Sequence, residues 1–214
     1  MTTVKPFPLP PADTQVKFQN LHPGTVIYRV HAQKFGPTEF NGSGMGNARF
    51  SPIVDSNGRI IPTLYAASSV DAALMETVFH DVATSSGLKI YDSSKLDGIA
   101  YCQLTTNSEL ILAVLYGPPL RKLGINEGEL IHSSAADYEH TRKWAMAIHA
   151  QHPSVQGLVW VSKQCSPDHA YLFFGDRCPQ DIFNAQFTWP DLKGRIFNDS
   201  IEKLADEMGL IIPL

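Results

Sequence analysis

The chain is short of the residues that staple or anchor proteins. It has three cysteines, Cys102, Cys165 and Cys178, in 214 residues. The number is odd and no C-x-x-C spacing occurs, so neither a disulfide framework nor a four-cysteine zinc site is expected. No apolar run approaches the ~18 residues of a membrane-spanning helix. The Pro-rich opening, Met1 to Pro11, has no apolar core of a secretion signal. The expected location is therefore the cytoplasm. Basic charge is also scarce: 17 Lys and Arg against 21 Asp and Glu give a net charge of −4. General phosphate-backbone binding is disfavoured, so no direct nucleic-acid binding is expected. Missing too are G-x-G-x-x-G, G-K-[ST], H-E-x-x-H and a G-x-S-x-G elbow. The histidines His132, His140, His149, His152 and His169 do not form a ligand motif, and no metal is expected. His149 and His152 straddle a helix end and suit capping of its last carbonyls.

What is present is a globular composition, 43% apolar and 18% charged, enough for one sizeable core. Residues 1–22 read as an extended arm, since Pro6, Pro8, Pro10 and Pro11 block regular structure. Residues 23–214 read as a single domain. Strands are expected over 25–30, 60–66, 98–104, 110–114, 157–162 and 170–174, and helices over 69–80, 138–150 and 201–208. Ser68 and Asp71 have capping-box spacing for the first helix. Strands outnumber helices without alternating with them, which argues α+β. Gly42, Gly44 and Gly46 punctuate a loop over 36–48.

Glu76 stands apart in this pattern. Within the 69–80 helix, Val70, Leu74 and Val78 form one apolar line, and Met75 and Phe79 a second. Between them a narrow strip holds Ala72, Ala73, Glu76 and His80, so an acid lies beside two small residues. The plain reading is a solvated Glu–His pair. Four further residues keep Glu76 company: Arg29 after Tyr28 in the first strand, Arg49 past the glycine loop, Tyr65 just before the helix, and Ser162 at a strand end.

Together these residues resemble the RES domain family. Tyr28-Arg29 is similar to its opening motif, and Asn47-Ala48-Arg49-Phe50-Ser51-Pro52 to its second arginine motif, with Phe50 and Ser51 departing from the common Trp-Asn. Leu64-Tyr65-Ala66-Ala67 and Ala72 to His80 resemble the central segment, and Gly157 to Ser162 the serine motif. The resemblance implies a split β core with flanking helices, similar to diphtheria-toxin-like ADP-ribosyltransferases. It implies a toxin that degrades NAD at the nicotinamide–ribose bond, by hydrolysis or phosphorolysis, held in check by a helix-turn-helix antitoxin. NAD would then be a substrate and inorganic phosphate a co-substrate, with no resident cofactor. Arg29, Tyr65 and Glu76 would be catalytic, while Tyr28, Arg49 and Ser162 would bind NAD. The residue types suit that chemistry. A carboxylate stabilises the cationic ribosyl centre, arginine forks bind pyrophosphate, and tyrosines stack on nicotinamide. Transfer of ADP-ribose to a protein or other acceptor, and a non-catalytic interaction module, remain as alternatives. Assembly into a homo-oligomer is left open.

Overall fold

A computed structural model describes residues 6–82, 87–192 and 198–213. In chain order it contains β1 (Lys17–Leu21), β2 (Val26–Ala32), β3 (Ile53–Val54), β4 (Ile60–Ile61), β5 (Thr63–Ala67) and α1 (Val70–Met75). Then come β6 (Lys89–Ile90), β7 (Ile99–Thr106), β8 (Leu110–Val114), α2 (Pro119–Leu123), α3 (Glu127–Leu130) and α4 (Tyr138–Gln151). The chain continues with β9 (Gly157–Val161), β10 (His169–Phe174), β11 (Phe183–Trp189), α5 (Asn198–Glu207) and β12 (Leu210–Ile211). The fold is α+β, as expected.

Eight strands form one sheet in the order β1-β8-β9-β10-β5-β2-β7-β11. Every pairing is antiparallel except β8 with β9. Alternation along the strands sends side chains to two different cores. Leu158, Trp160, Leu172 and Phe174 pack with Trp144 and Ile148 of α4. Val159, Tyr171 and Phe173 instead join Ile27, Leu104 and Phe183 from the far side of the sheet. One sheet face therefore folds onto itself, and the sheet is curled. A third cluster gathers α1, α5 and the outer faces of β2 and β7.

The two halves of the sheet barely join. β2 pairs with β7 through seven residue pairs, but meets β5 at one, Tyr28 with Ala67. The chain leaves β5 through Ser68 and Ser69 directly into α1, which packs against β2 and β5.

Five expectations need correction. The first helix ends at Met75, not His80. The N–H groups of Thr77, Val78 and Phe79 all converge on the Leu74 carbonyl, which tightens the chain and drops Phe79 into the core against Tyr91. Its cap is Ser69, whose side chain accepts from Ala72 N at 3.0 Å, one residue later than the expected Ser68. Ser68 Oγ instead accepts the His169 N–H. The expected 60–66 strand is broken at Pro62 into β4 and β5, because proline has no N–H to donate.

The fourth concerns the N-terminal arm, and the fifth the C-terminal end of α4. The prolines occupy only the first part of the arm, and Lys17–Leu21 pairs with β8 as an edge strand. The preceding residues strap α4: Phe7 stacks on His140 and the Pro8 carbonyl accepts from Trp144 Nε1 at 2.9 Å. At the other end of α4 the histidines do not cap. Arg177 donates to the carbonyls of His149, His152 and Val155, while His152 Nε2 bonds Thr14 and His149 bonds Asp176.

Gly157 marks the tightest strand packing. A Cβ there would overlap the Leu172 carbonyl oxygen and lie 3.0 Å from Leu112 Cδ2. Gly157→Ala is expected to lower unfolding stability by about 1–3 kcal/mol, the usual cost of overpacking a core. A urea melt showing no shift in midpoint contradicts this account of the β8–β9–β10 packing.

Candidate active site

A cleft of about 370 Å³ opens beside the sparse β2–β5 junction, within the range of small-molecule sites. Both strands line it, together with the 45–51 segment, the turn after α1 and the start of α4.

Glu76 is the C-cap residue of α1. Ala72 and Ala73 are buried, and their small side chains let the helix sit close to the sheet. The carboxylate that follows is thereby drawn inward, with only 15% of its side chain exposed. The solvated-surface reading is therefore wrong. Ser162 Oγ donates to Glu76 Oε1 at 2.6 Å, and Arg49 Nη1 lies 3.7 Å from Oε2. Each carboxylate oxygen thus faces a different partner, as a buried charge requires.

Arg49 is aimed by its neighbours. Phe50 is buried edge-on against Trp160, and its N–H donates to the Tyr65 hydroxyl at 3.0 Å. Thr141 of α4 donates to the Arg49 carbonyl. The guanidinium then lies 5.6 Å from the Tyr138 ring centre and its Nε is buried without a partner. Tyr65 therefore fastens the arginine segment as well as lining the cleft. Burial pushes its phenol upward, so it stays protonated and can still donate.

Arg29 also lines the cleft but is nearly enclosed. Its Nη1 donates to the Pro37 carbonyl at 2.7 Å and to that of Gly36 at 3.3 Å. Burial pulls its guanidinium down to about 10, still charged at neutral pH. Part of its donor fork thus organises the loop that closes one side. Tyr28 lines the cleft and stacks on Tyr101 at 6.3 Å. Ser162 departs from expectation. It is 1% exposed and does not line the cleft. Its hydroxyl proton is committed to Glu76, so it orients the carboxylate from behind.

Sequence reasoning missed Tyr138, which read as an apolar helix position. It also left His80 on a helix face. In the structure His80 Nε2 lies 2.9 Å from Tyr138 Oη, and Nδ1 lies 2.8 Å from Asp81 Oδ1. All three residues line the cleft. The spacing of Glu76 and His80 was the available signal, but Tyr138 lies in a distant element and no local pattern links it to them. No group of three or more His, Cys, Asp or Glu side chains suited to a metal occurs among the described residues.

A family model described as RES domain matches residues 26–190, a span that includes Arg29, Arg49, Tyr65, Glu76 and Ser162. No curated protein matches. Among solved structures, a chain of the M. tuberculosis MbcT–MbcA toxin–antitoxin complex is similar with a TM-score of 0.61. The two share 12% identity, over 84% of this chain and 90% of that one. At that identity the likeness is one of fold.

The Arg49–Glu76 pair should be coupled in stability. Arg49→Ala strands the carboxylate in a desolvated site, whereas in a Glu76→Gln background the same change leaves no lone charge. A double-mutant cycle in urea is expected to give an interaction of about 1 kcal/mol or more, within the range for contacting residues. Strict additivity means the two groups do not sense each other.

Proposed function

Since the chain belongs to the RES domain family, we propose that it is an NAD-degrading toxin that cleaves the nicotinamide–ribose bond by hydrolysis or phosphorolysis. The observation that carries this reading is the Glu76 carboxylate, held in a cleft wall between Ser162 and Arg49. Breaking the nicotinamide–ribose bond develops positive charge on the ribosyl carbon. A carboxylate already fixed in place stabilises that charge with little reorganisation. Ser162 holds one oxygen, so the group cannot swing away as the cation forms.

The cations suit the other end of the substrate. Arg49 lines the cleft beside Glu76, and an arginine fork matches pyrophosphate oxygens. Arg29 adds positive charge to the same cleft. Tyr28, already stacked on Tyr101, offers an aromatic face to a flat cationic ring. NAD is the substrate in this reading, and water or inorganic phosphate takes up the ribosyl group. We also read the sheet, divided where β2 and β5 meet at one residue pair, as the split core of the diphtheria-toxin-like ADP-ribosyltransferases. The neutralising partner is an antitoxin with a helix-turn-helix domain. The fold shared with a chain of a toxin–antitoxin complex supports an antitoxin partner; its helix-turn-helix domain is what the family resemblance implies.

The test is direct. Purified protein is incubated with NAD, with and without phosphate, and the ribosyl products are identified by mass. Free ADP-ribose indicates hydrolysis, and a phosphate ester of it indicates phosphorolysis. An ADP-ribosylated protein indicates transfer instead. NAD left intact under both conditions refutes the reading. Glu76→Gln is expected to fold but to lose about two orders of magnitude or more in turnover, the typical effect of removing one preorganised electrostatic contact. Arg49→Ala should raise the KM for NAD, and Arg49→Lys should restore it only in part, since an ammonium cannot reproduce the fork. Unchanged steady-state constants in all three variants would move the chemistry away from this cleft.

A further inference from the structure

We propose that Asp81, His80 and Tyr138 form a proton relay that deprotonates water as it attacks the ribosyl carbon. Tyr138 Oη meets the water and His80 Nε2 receives the proton. The proposal rests on the NAD-cleavage reading of the same cleft, and deepens it by assigning the nucleophile's proton.

The hydrogen bonds give the relay its direction. Asp81 Oδ1 lies 2.8 Å from His80 Nδ1. A carboxylate only accepts, so in the neutral imidazole Nδ1 bears the hydrogen and Nε2 carries the lone pair. Tyr138 Oη, 2.9 Å away, must therefore donate to Nε2. That leaves the lone pairs of the Tyr138 oxygen to accept from a group in the cleft. The logic of a base held in one tautomer by a carboxylate is that of a hydrolytic triad, with a phenol in place of the serine. Here the hydroxyl passes a proton and forms no covalent bond.

The surroundings hold His80 and Tyr138 in place, while Asp81, 86% exposed, supports the imidazole from the solvent side. The His80 carbonyl accepts from Gln164 Nε2 at 2.7 Å, and the Arg49 guanidinium sits over the Tyr138 ring. Glu76 and Arg49 are the other charged groups beside the relay on this wall of the cleft. Glu76 itself is engaged by Ser162 and Arg49. Its charge serves the ribosyl cation, which leaves proton removal to a different group. His80 is that group, partly open to solvent at 30% exposure.

The step balances. The carbon–nitrogen bond breaks and nicotinamide leaves neutral with the electron pair. The water oxygen bonds to the ribosyl carbon. One water proton passes to Tyr138 Oη as the phenol proton passes to His80 Nε2. The imidazolium, stabilised by Asp81, then releases its proton to bulk solvent. Dianionic phosphate attacks through an oxygen that carries no proton, so it has no use for the relay.

This difference separates a relay from a structural fastening. Wild type, Tyr138→Phe and His80→Gln are compared at saturating NAD and one fixed phosphate concentration, at mildly alkaline pH where phosphate is mainly dianionic. ADP-ribose and its phosphate ester are quantified together by mass spectrometry. Glutamine can still accept the tyrosine hydrogen bond but cannot take up a proton. Both variants are expected to lower the ratio of ADP-ribose to phosphate ester by about tenfold or more, at the modest end of general-base effects. Loss of mere packing slows both products together. An unchanged ratio in either variant overturns the relay. A wild type that makes only the phosphate ester overturns it as well, because no water is then activated. A wild type that leaves NAD intact refutes the underlying cleavage reading instead.

Discussion

A carboxylate kept largely out of water is the constraint on which this site turns. Glu76 would be costly in that position if either oxygen lacked a partner. The serine behind it and the arginine in front meet that demand from elements far apart in sequence. Ser162 follows β9, whose neighbour β10 pairs with β5 and so leads back to α1. Arg49 follows the glycine loop and is fixed from three sides, by Phe50 in the core, Tyr65 in β5 and Thr141 in α4. Moving any one of these elements would leave a buried charge unmatched. The polar site and the apolar core are thus mutually dependent.

The shape of α1 follows from the same demand. A longer amphipathic helix would carry His80 onward along one face and leave Phe79 on another. Instead the chain closes on the Leu74 carbonyl, buries Phe79 against Tyr91, and turns His80 toward Tyr138. The short helix costs few hydrogen bonds, since three N–H groups share one acceptor. In return, a carboxylate and an imidazole from one segment reach the same cleft at different places on its wall.

The cleft itself comes from incomplete strand pairing. With β2 and β5 joined at one residue pair, the backbone beyond it is free to diverge, and side chains from both strands face the gap. Arg29 sits on β2 at this edge. Its hydrogen bonds to the Gly36 and Pro37 carbonyls tie the following loop to the sheet. Tyr65 lies on β5, two residues before the Ala67 that pairs with Tyr28. Binding groups on either side therefore rest on strands with full ladders on their other flank, β7 for one and β10 for the other. A rigid frame with an open seam is well suited to holding charges in preset positions.

Much of the architecture was legible from local pattern. The buried runs at 157–161 and 169–174, the helix at 138–151 and the glycine-marked loop all follow from periodicity and breakers that act over a few residues. The motifs around Arg29, Arg49, Tyr65 and Glu76 were readable as residue types in order along the chain. Local pattern misjudged α1, because the convergence on Leu74 is driven by burial of Phe79 against a residue outside the helix. It also misplaced Ser162, since a strand end looks the same whether its hydroxyl meets a ligand or a neighbouring carboxylate. Nothing local marked Tyr138 as polar machinery, because a phenol in an apolar helix line is ordinarily core. The sequence by itself determined the α+β class and the set of chemical groups. Only the tertiary structure decided which of them meet, because hydrogen-bond partners and shared burial are set by strand order and helix packing between segments that the chain keeps far apart.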